Sequence, residues 1–189
     1  MSYEIHYSTP ESRDQLMVAL DTVNSQASAL WDAIPPERFF EPPADGGWTA
    51  AQNVVHLIWS TSPVTTALGL PRWVLRLLFG KAAIPSRSFV EVRAAYRALL
   101  AEGGQAGRYG PAARPLPSDP LAARQQLLNK WRDVVPRLIA ATRRWDETSL
   151  DRYRLPHPLL GKLTMREILY FTLYHLGHHA THVAARQHP

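Results

Sequence analysis

The 189-residue chain contains no cysteine. Disulfides, thiolate nucleophiles and cysteine-based zinc sites are excluded, so any soft nucleophile must come from a substrate or cofactor. Lysine is nearly absent as well: 18 of the 21 basic residues are arginine. These arginines are scattered, with no run longer than Arg143-Arg144, although the formal charge is +5 and the pI about 9.8. A nucleic-acid groove needs a clustered basic stripe with interleaved aromatics, so nucleic acid is not an expected partner. An anionic small molecule is the better use of this charge. No apolar run reaches the ~18 residues of a membrane span, so no membrane partner is expected either. The stretch MSYEIHYSTPESRDQ has neither a basic n-region nor an apolar h-region, which makes the cytoplasm the expected compartment. With 46% hydrophobic and 20% charged residues, the chain is expected to be one globular domain spanning 1–189.

Helical periodicity organises the chain. Residues 11–34 place Leu16, Leu20, Val23, Ala27, Leu30, Trp31 and Ile34 on one stripe, and Pro35-Pro36 ends it. After the loop EPPADGG and Trp48, Thr49 and Gln52 form a capping-box pattern that opens a second helix carrying His56. Pro63 is expected to kink or end that helix. Residues 71–80 are a short apolar piece with Arg72 and Arg76 on one face, expected to act as a lid or dimer contact. A further helix is expected over 88–102. The stretch 103–120, with four glycines and four prolines, reads as a long loop, either a lid or a mobile segment with Tyr109 in it. A third long helix begins near Pro120, capped by Ser118 or Asp119, with the stripe Leu127, Trp131, Val134, Val135, Leu138 and Thr142. Pro136 should bend it. LPHPLLGK (155–162) is turn-rich. Thr164 and Glu167 make a second capping box, with Leu163 and Ile168 placed as a hydrophobic staple. The fourth helix then runs from Met165 to about Gln187. Strand alternation is not evident. The expected fold is an all-α, up-and-down type four-helix bundle with an elaborated connection between helices two and three.

Half of the eight histidines sit in one stretch, YHLGHHATHV, at positions 175, 178, 179 and 182. At 100° per residue, His175, His178, His179 and His182 fall in one arc of about a third of a turn. Ile168, Phe171, Thr172 and Val183 lie in or beside that arc, so it faces the core. Buried imidazoles need partners, and one metal ion satisfies several at once. The pairs 175/179 and 178/182 both have chelating i,i+4 spacing, and spacing does not separate them. A solvated histidine face that binds metal incidentally is the plainer alternative.

The segments GGWTAAQNVVHLIW and HPLLGKLTMREILYFTLYHLGHHATHV resemble the two signature regions of the DinB / YfiT-like superfamily. The resemblance extends over nearly the whole chain. It implies one metal ligand on helix two and two more, four residues apart, on the last helix. On the matching positions of this chain those are His56, His175 and His179. It leaves His178 and His182 beside the site. Many relatives carry glutamine at the position of His182, which keeps both a fourth-ligand role and a supporting role open for it. A crossover connection between helices two and three and a homodimer are further implications.

Three neutral imidazoles on a divalent ion, zinc or nickel, leave a coordination position open, as catalytic sites do. That position holds water for hydrolysis, or a thiol that becomes thiolate on the metal. Some members of the superfamily are thiol-S-transferases using low-molecular-weight thiols. The expected function is therefore metal-dependent thiol transfer to a small-molecule substrate, with His178 or His182 as the proton-handling group. A metal-dependent hydrolase and a non-enzymatic, stress-related metal-binding protein are the alternatives. Arg72 and Arg76 are candidates to hold a carboxylate of the thiol, with solvated surface charge as their expected role. Trp48 and Trp59 are expected as core anchors near His56, with Trp59 able to line the pocket.

Overall fold

A computed structural model of the chain describes residues 5–44, 46–113 and 115–187. Asp45, in the EPPADGG loop, therefore lies outside the described residues. Four long helices form the body: α1 (Arg13–Ala33), α3 (Ala50–Gly69), α6 (Pro120–Thr142) and α8 (Met165–Ala185). Between them lie α2 (Pro36–Phe40), α4 (Arg72–Phe79), α5 (Phe89–Ala101), a 3-10 turn at Gly107–Tyr109 and α7 (Glu147–Arg152). Two short strands, β1 (Arg154–His157) and β2 (Gly161–Thr164), precede α8.

The caps act as the sequence suggests. Thr49 and Gln52 close a reciprocal capping box on α3, and Thr164 and Glu167 do the same on α8. Asp119, rather than Ser118, caps α6 by accepting from the Ala122 amide at 2.9 Å. Glu167 does more than cap: it also accepts from the Arg87 amide and guanidinium, which ties the segment ahead of α5 to the start of α8.

α1 and α3 each pack against both α6 and α8. They therefore stand across the bundle from each other, as do α6 and α8. Consecutive long helices one and two are diagonal, so the bundle is not the simple succession of neighbours that an up-and-down reading expects. The long 70–119 connection joins helices that lie side by side. α5, within it, folds back onto α8. α8 is consequently covered by α1, α3, α5, α7 and the hairpin, and every residue from Met165 to Leu173 is buried. Burial of consecutive residues, the ion-paired Arg166 and Glu167 included, marks a helix enclosed on all sides.

Several expectations are corrected. β1 and β2 form an antiparallel hairpin pairing Leu155 with Leu163, which the absence of long alternation concealed. Pro63 does not end α3: the helix runs on to Gly69, held by the buried Val64, Ala67 and Leu68 beyond the proline. Ser62 and Thr66 hydroxyls bond carbonyls one turn back on either side of it. On α6 the buried stripe passes through Leu128, with Leu127 only partly covered. The first helix does end ahead of Pro35-Pro36, as expected, and Pro36 in addition opens α2. Among the described residues no helix is long and apolar enough to cross a membrane.

Candidate metal centre

Where α3 and α8 pack, three imidazoles meet. His56 comes from the second turn of α3, and His175 and His179 from successive turns of α8. His56 Nε2 lies 3.0 Å from His175 Nε2, and His179 Nε2 lies 3.1 Å from the same atom. All three nitrogens fall within 4.8 Å of one another.

The protonation of two of these rings is fixed by their other nitrogen. His56 Nδ1 is 2.8 Å from the Tyr109 carbonyl, which only accepts, so Nδ1–H donates. His179 Nδ1 is 2.7 Å from Asn53 Oδ1. Asn53 is oriented in turn by its amide nitrogen, which donates to the Thr49 carbonyl at 2.8 Å and to the Trp48 carbonyl at 3.3 Å. His179 Nδ1–H therefore donates as well. Both Nε2 atoms are left as lone pairs aimed at His175. Even if His175 supplies a proton to one of them, the other faces a nitrogen with nothing between. The arrangement suits a shared cation.

A proton is a poor choice for that cation. Burial lowers the pKa of His56, against the pull of the Tyr109 carbonyl. Burial, then the charges that neighbouring imidazoles would carry, hold His175 and His179 well below the ordinary histidine value. A divalent metal suits three neutral imidazoles, two of which have their outer nitrogens held by carbonyl acceptors. A tetrahedral zinc with Zn–N near 2.0–2.1 Å needs nitrogens about 3.3–3.4 Å apart, close to the two short spacings here.

Trp48 lies parallel to the His179 ring at 5.9 Å and tilts over His56 at 4.9 Å. Two cavities flank the cluster. The larger, about 770 Å³, reaches His56 and His175 and is walled by Trp59, Val64, Phe79, Leu155 and Phe171. The smaller, about 440 Å³, reaches His56 and His179 and is lined by Trp48, Gly107, Gly110 and His178. Tyr96, Gln105 and Ala106 line both. Neither cavity is lined by an aspartate or glutamate among the described residues.

The sequence-predicted residues separate clearly. His56, His175 and His179 converge. His178 stands next to them in the smaller cavity, its ring stacked on Tyr174, and burial lowers its pKa to about 4. His182 is exposed, with its ring 4.4 Å from that of His178, and lines neither cavity. Arg72 lies over Trp145 at 4.2 Å and bonds the Arg144 carbonyl, and neither it nor Arg76 lines a cavity. The arginine at the larger cavity is Arg108, stacked on Tyr109. Trp48 is near His56 as expected, whereas Trp59 is 43% exposed and forms cavity wall. Sequence reasoning missed Asn53, the Tyr109 carbonyl and His157. Asn53 carried a usable signal: a polar residue three positions before His56 lies on the same face of that helix.

The sequence profile of the DinB superfamily matches residues 19–183. No curated protein matches the chain at a significant level. Among solved structures the fold is similar to that of YfiT from Bacillus subtilis, reported as a probable metal-dependent hydrolase with an unusual four-helix bundle topology. That match has a TM-score of 0.62 at 18% identity and covers 96% of this chain and 92% of the other.

Proposed function

The chain belongs to the DinB superfamily, and from that premise we propose that it is a metal-dependent thiol transferase. In this reading His56, His175 and His179 hold one divalent ion, zinc or nickel. The ion supplies acidity, making a bound low-molecular-weight thiol nucleophilic near neutral pH. The observation that carries the proposal is the pair of cavities meeting at the three imidazoles. A two-substrate reaction needs two approaches to one centre, and each has the volume for a small molecule. The smaller, with His178 and Trp48, takes the thiol. The larger takes an apolar electrophile and keeps water from it.

The residues divide the work accordingly. His178, neutral in the thiol cavity, relays the thiol proton to the leaving group or to water without storing it, since burial disfavours its charged form. A carbon–sulfur bond forms as the bond to the leaving group breaks, and that group departs with the electron pair. Asn53 and Tyr109 keep the His179 and His56 lone pairs facing inward. His182, against His178, orients that ring.

A metal-dependent hydrolase is the second reading, favoured by the description of YfiT. A hydrolytic water fills only about 30 Å³, so hydrolysis leaves the 440 Å³ cavity without a use. Among the described residues no carboxylate lines either cavity to activate that water. The discriminating experiment supplies zinc- or nickel-loaded protein with a thiol panel and 1-chloro-2,4-dinitrobenzene, and in parallel with p-nitrophenyl acetate. Thioether formation that needs both metal and thiol is expected. Thiol-independent ester cleavage with no thioether product supports the hydrolase instead.

A further inference from the structure

The larger cavity is lined by a histidine outside the imidazole cluster, one of whose ring nitrogens is used by neither the cluster nor the fold. His157 ends β1, and its ring lies 4.2 Å from Phe171 and 6.2 Å from Tyr96 on the cavity wall. Its Nδ1 accepts two backbone hydrogen bonds from the hairpin turn, from the Leu160 amide at 3.0 Å and the Leu159 amide at 3.2 Å. Amides only donate, so Nδ1 carries the lone pair and the single proton of the neutral ring sits on Nε2. That Nε2–H has no hydrogen-bond partner among the described residues. Burial lowers the pKa to about 4, which keeps the ring neutral. Two amides thus fix both tautomer and orientation before any ligand arrives, and a donor set in advance loses little on binding.

We propose that His157 is a ligand-binding residue, a fixed neutral donor, and that the molecule held in the larger cavity is mostly apolar with a neutral acceptor, a carbonyl or ester oxygen, directed at the hairpin. The walls give the reason for neutrality. They are mostly aliphatic and aromatic, the other polar residues, Ser60, Ser62, Thr66 and Gln105, are uncharged, and the one arginine, Arg108, is exposed. An anion would surrender its hydration to a neutral imidazole and apolar carbon, whereas a carbonyl exchanges one hydrogen bond for another. Phe171 lies against both His157 and His175, 4.2 Å from the first and stacked at 4.8 Å on the second, and Tyr96 meets the same two rings edge-on at 6.2 and 6.1 Å. A ligand anchored at His157 therefore lies along Phe171 toward the imidazole cluster. A cavity that presents a donor favours the ligand with an acceptor, because the analogue without one leaves that N–H without a bond to the ligand.

This inference rests on reading the larger cavity as the substrate cavity, and its test needs no turnover. The probes are 2-acetylnaphthalene and 2-isopropenylnaphthalene, close in shape and differing by a carbonyl oxygen in place of a methylene. Wild type is expected to bind the ketone roughly tenfold tighter. His157→Phe should abolish that preference while still binding the hydrocarbon, and Tyr96→Phe and Arg108→Ala should retain it. Equal binding of both probes by wild type, or a preference that survives His157→Phe, overturns the role of His157 and leaves the cavity reading intact. Binding of neither probe overturns the cavity reading, and the inference with it. Because His157→Phe also gives up two turn hydrogen bonds, ¹⁵N spectroscopy of the wild-type protein supplies an independent measurement. The His157 ring should be the Nε2–H tautomer, with that resonance moving on addition of the ketone and not of the hydrocarbon. An Nδ1–H tautomer contradicts the proposal.

Discussion

Replacing Asn53 tests how this chain prepares its imidazoles. Asn53 is 3% exposed and accepts the His179 Nδ1–H at 2.7 Å. With metal on Nε2, that proton must remain on Nδ1. Asn53→Leu then leaves a buried donor unpaired in the bound state, at a cost of about 1–3 kcal/mol. In the metal-free state the ring escapes the cost by moving its proton to Nε2 and donating to His175. The penalty therefore falls on binding, and a loss of about 10–100-fold in metal affinity follows. Asn53→Asp keeps an acceptor and adds charge, so its affinity should equal or exceed that of wild type. Both variants lose the amide that holds the Trp48 and Thr49 carbonyls, so comparing them isolates the acceptor from the local fold. The assay is competition for zinc against a chromogenic chelator, with melting curves alongside. Equal affinities for Asn53→Leu and Asn53→Asp would refute the reasoning.

Three further outcomes follow from other contacts. His157 is held near pKa 4 by burial, against about 6.5 in the unfolded chain. Below pH 6.5 the unfolded state binds the extra proton, so this group's share of stability is complete above pH 6.5 and declines toward pH 4, by at most about 1.4 kcal/mol per pH unit. Urea denaturation from pH 7 to 4.5 should show a shallower decline in His157→Gln, and an unchanged slope contradicts the assignment. At Gly177 an added Cβ would come within 2.7 Å of the Tyr7 ring. Gly177→Ala should therefore destabilise by about 1–3 kcal/mol despite alanine's better helix propensity, and Tyr7→Ala should relieve the clash in the double variant. A stabilised Gly177→Ala single variant, seen by denaturant titration, contradicts this. Arg166, with its side chain 9% exposed, pairs with Asp151 and Glu147, which are 41% and 53% exposed. Those carboxylates can regain water, so Arg166→Met should cost about 1–3 kcal/mol rather than the larger penalty of a fully buried pair. A melting temperature that falls no further than that of a surface Arg→Met control contradicts it.

The bundle was legible because its helices announce themselves at their ends and along one face. Thr49-Gln52 and Thr164-Glu167 are local signals, read by amides three residues away, and they needed no tertiary information. The three converging histidines were reachable only with the family resemblance, since i,i+4 spacing is shared by 175/179 and 178/182. What separates the pairs is burial: His175 faces α3, while His182 is exposed. The remainder was hidden because it is made at long range. The Tyr109 carbonyl reaches His56 across 53 positions, and a backbone oxygen has no side-chain signature. The hairpin escaped because two four-residue strands are too short to show a period. Pro63 stays helical because packing on both sides outweighs one lost hydrogen bond. His157 looked like part of a turn, which it is through Nδ1, and only the cavity on its other side distinguishes Nε2.

The central claim is that three imidazoles from two helices hold one divalent ion. It is tested most directly by elemental analysis of untagged protein reconstituted with zinc or nickel, beside single alanine variants of each of the five clustered histidines. About one ion per chain is expected, lost in His56→Ala, His175→Ala and His179→Ala and retained in His178→Ala and His182→Ala. No ion in the wild-type protein, or an ion that survives loss of His56 and departs with His178 or His182, contradicts the account.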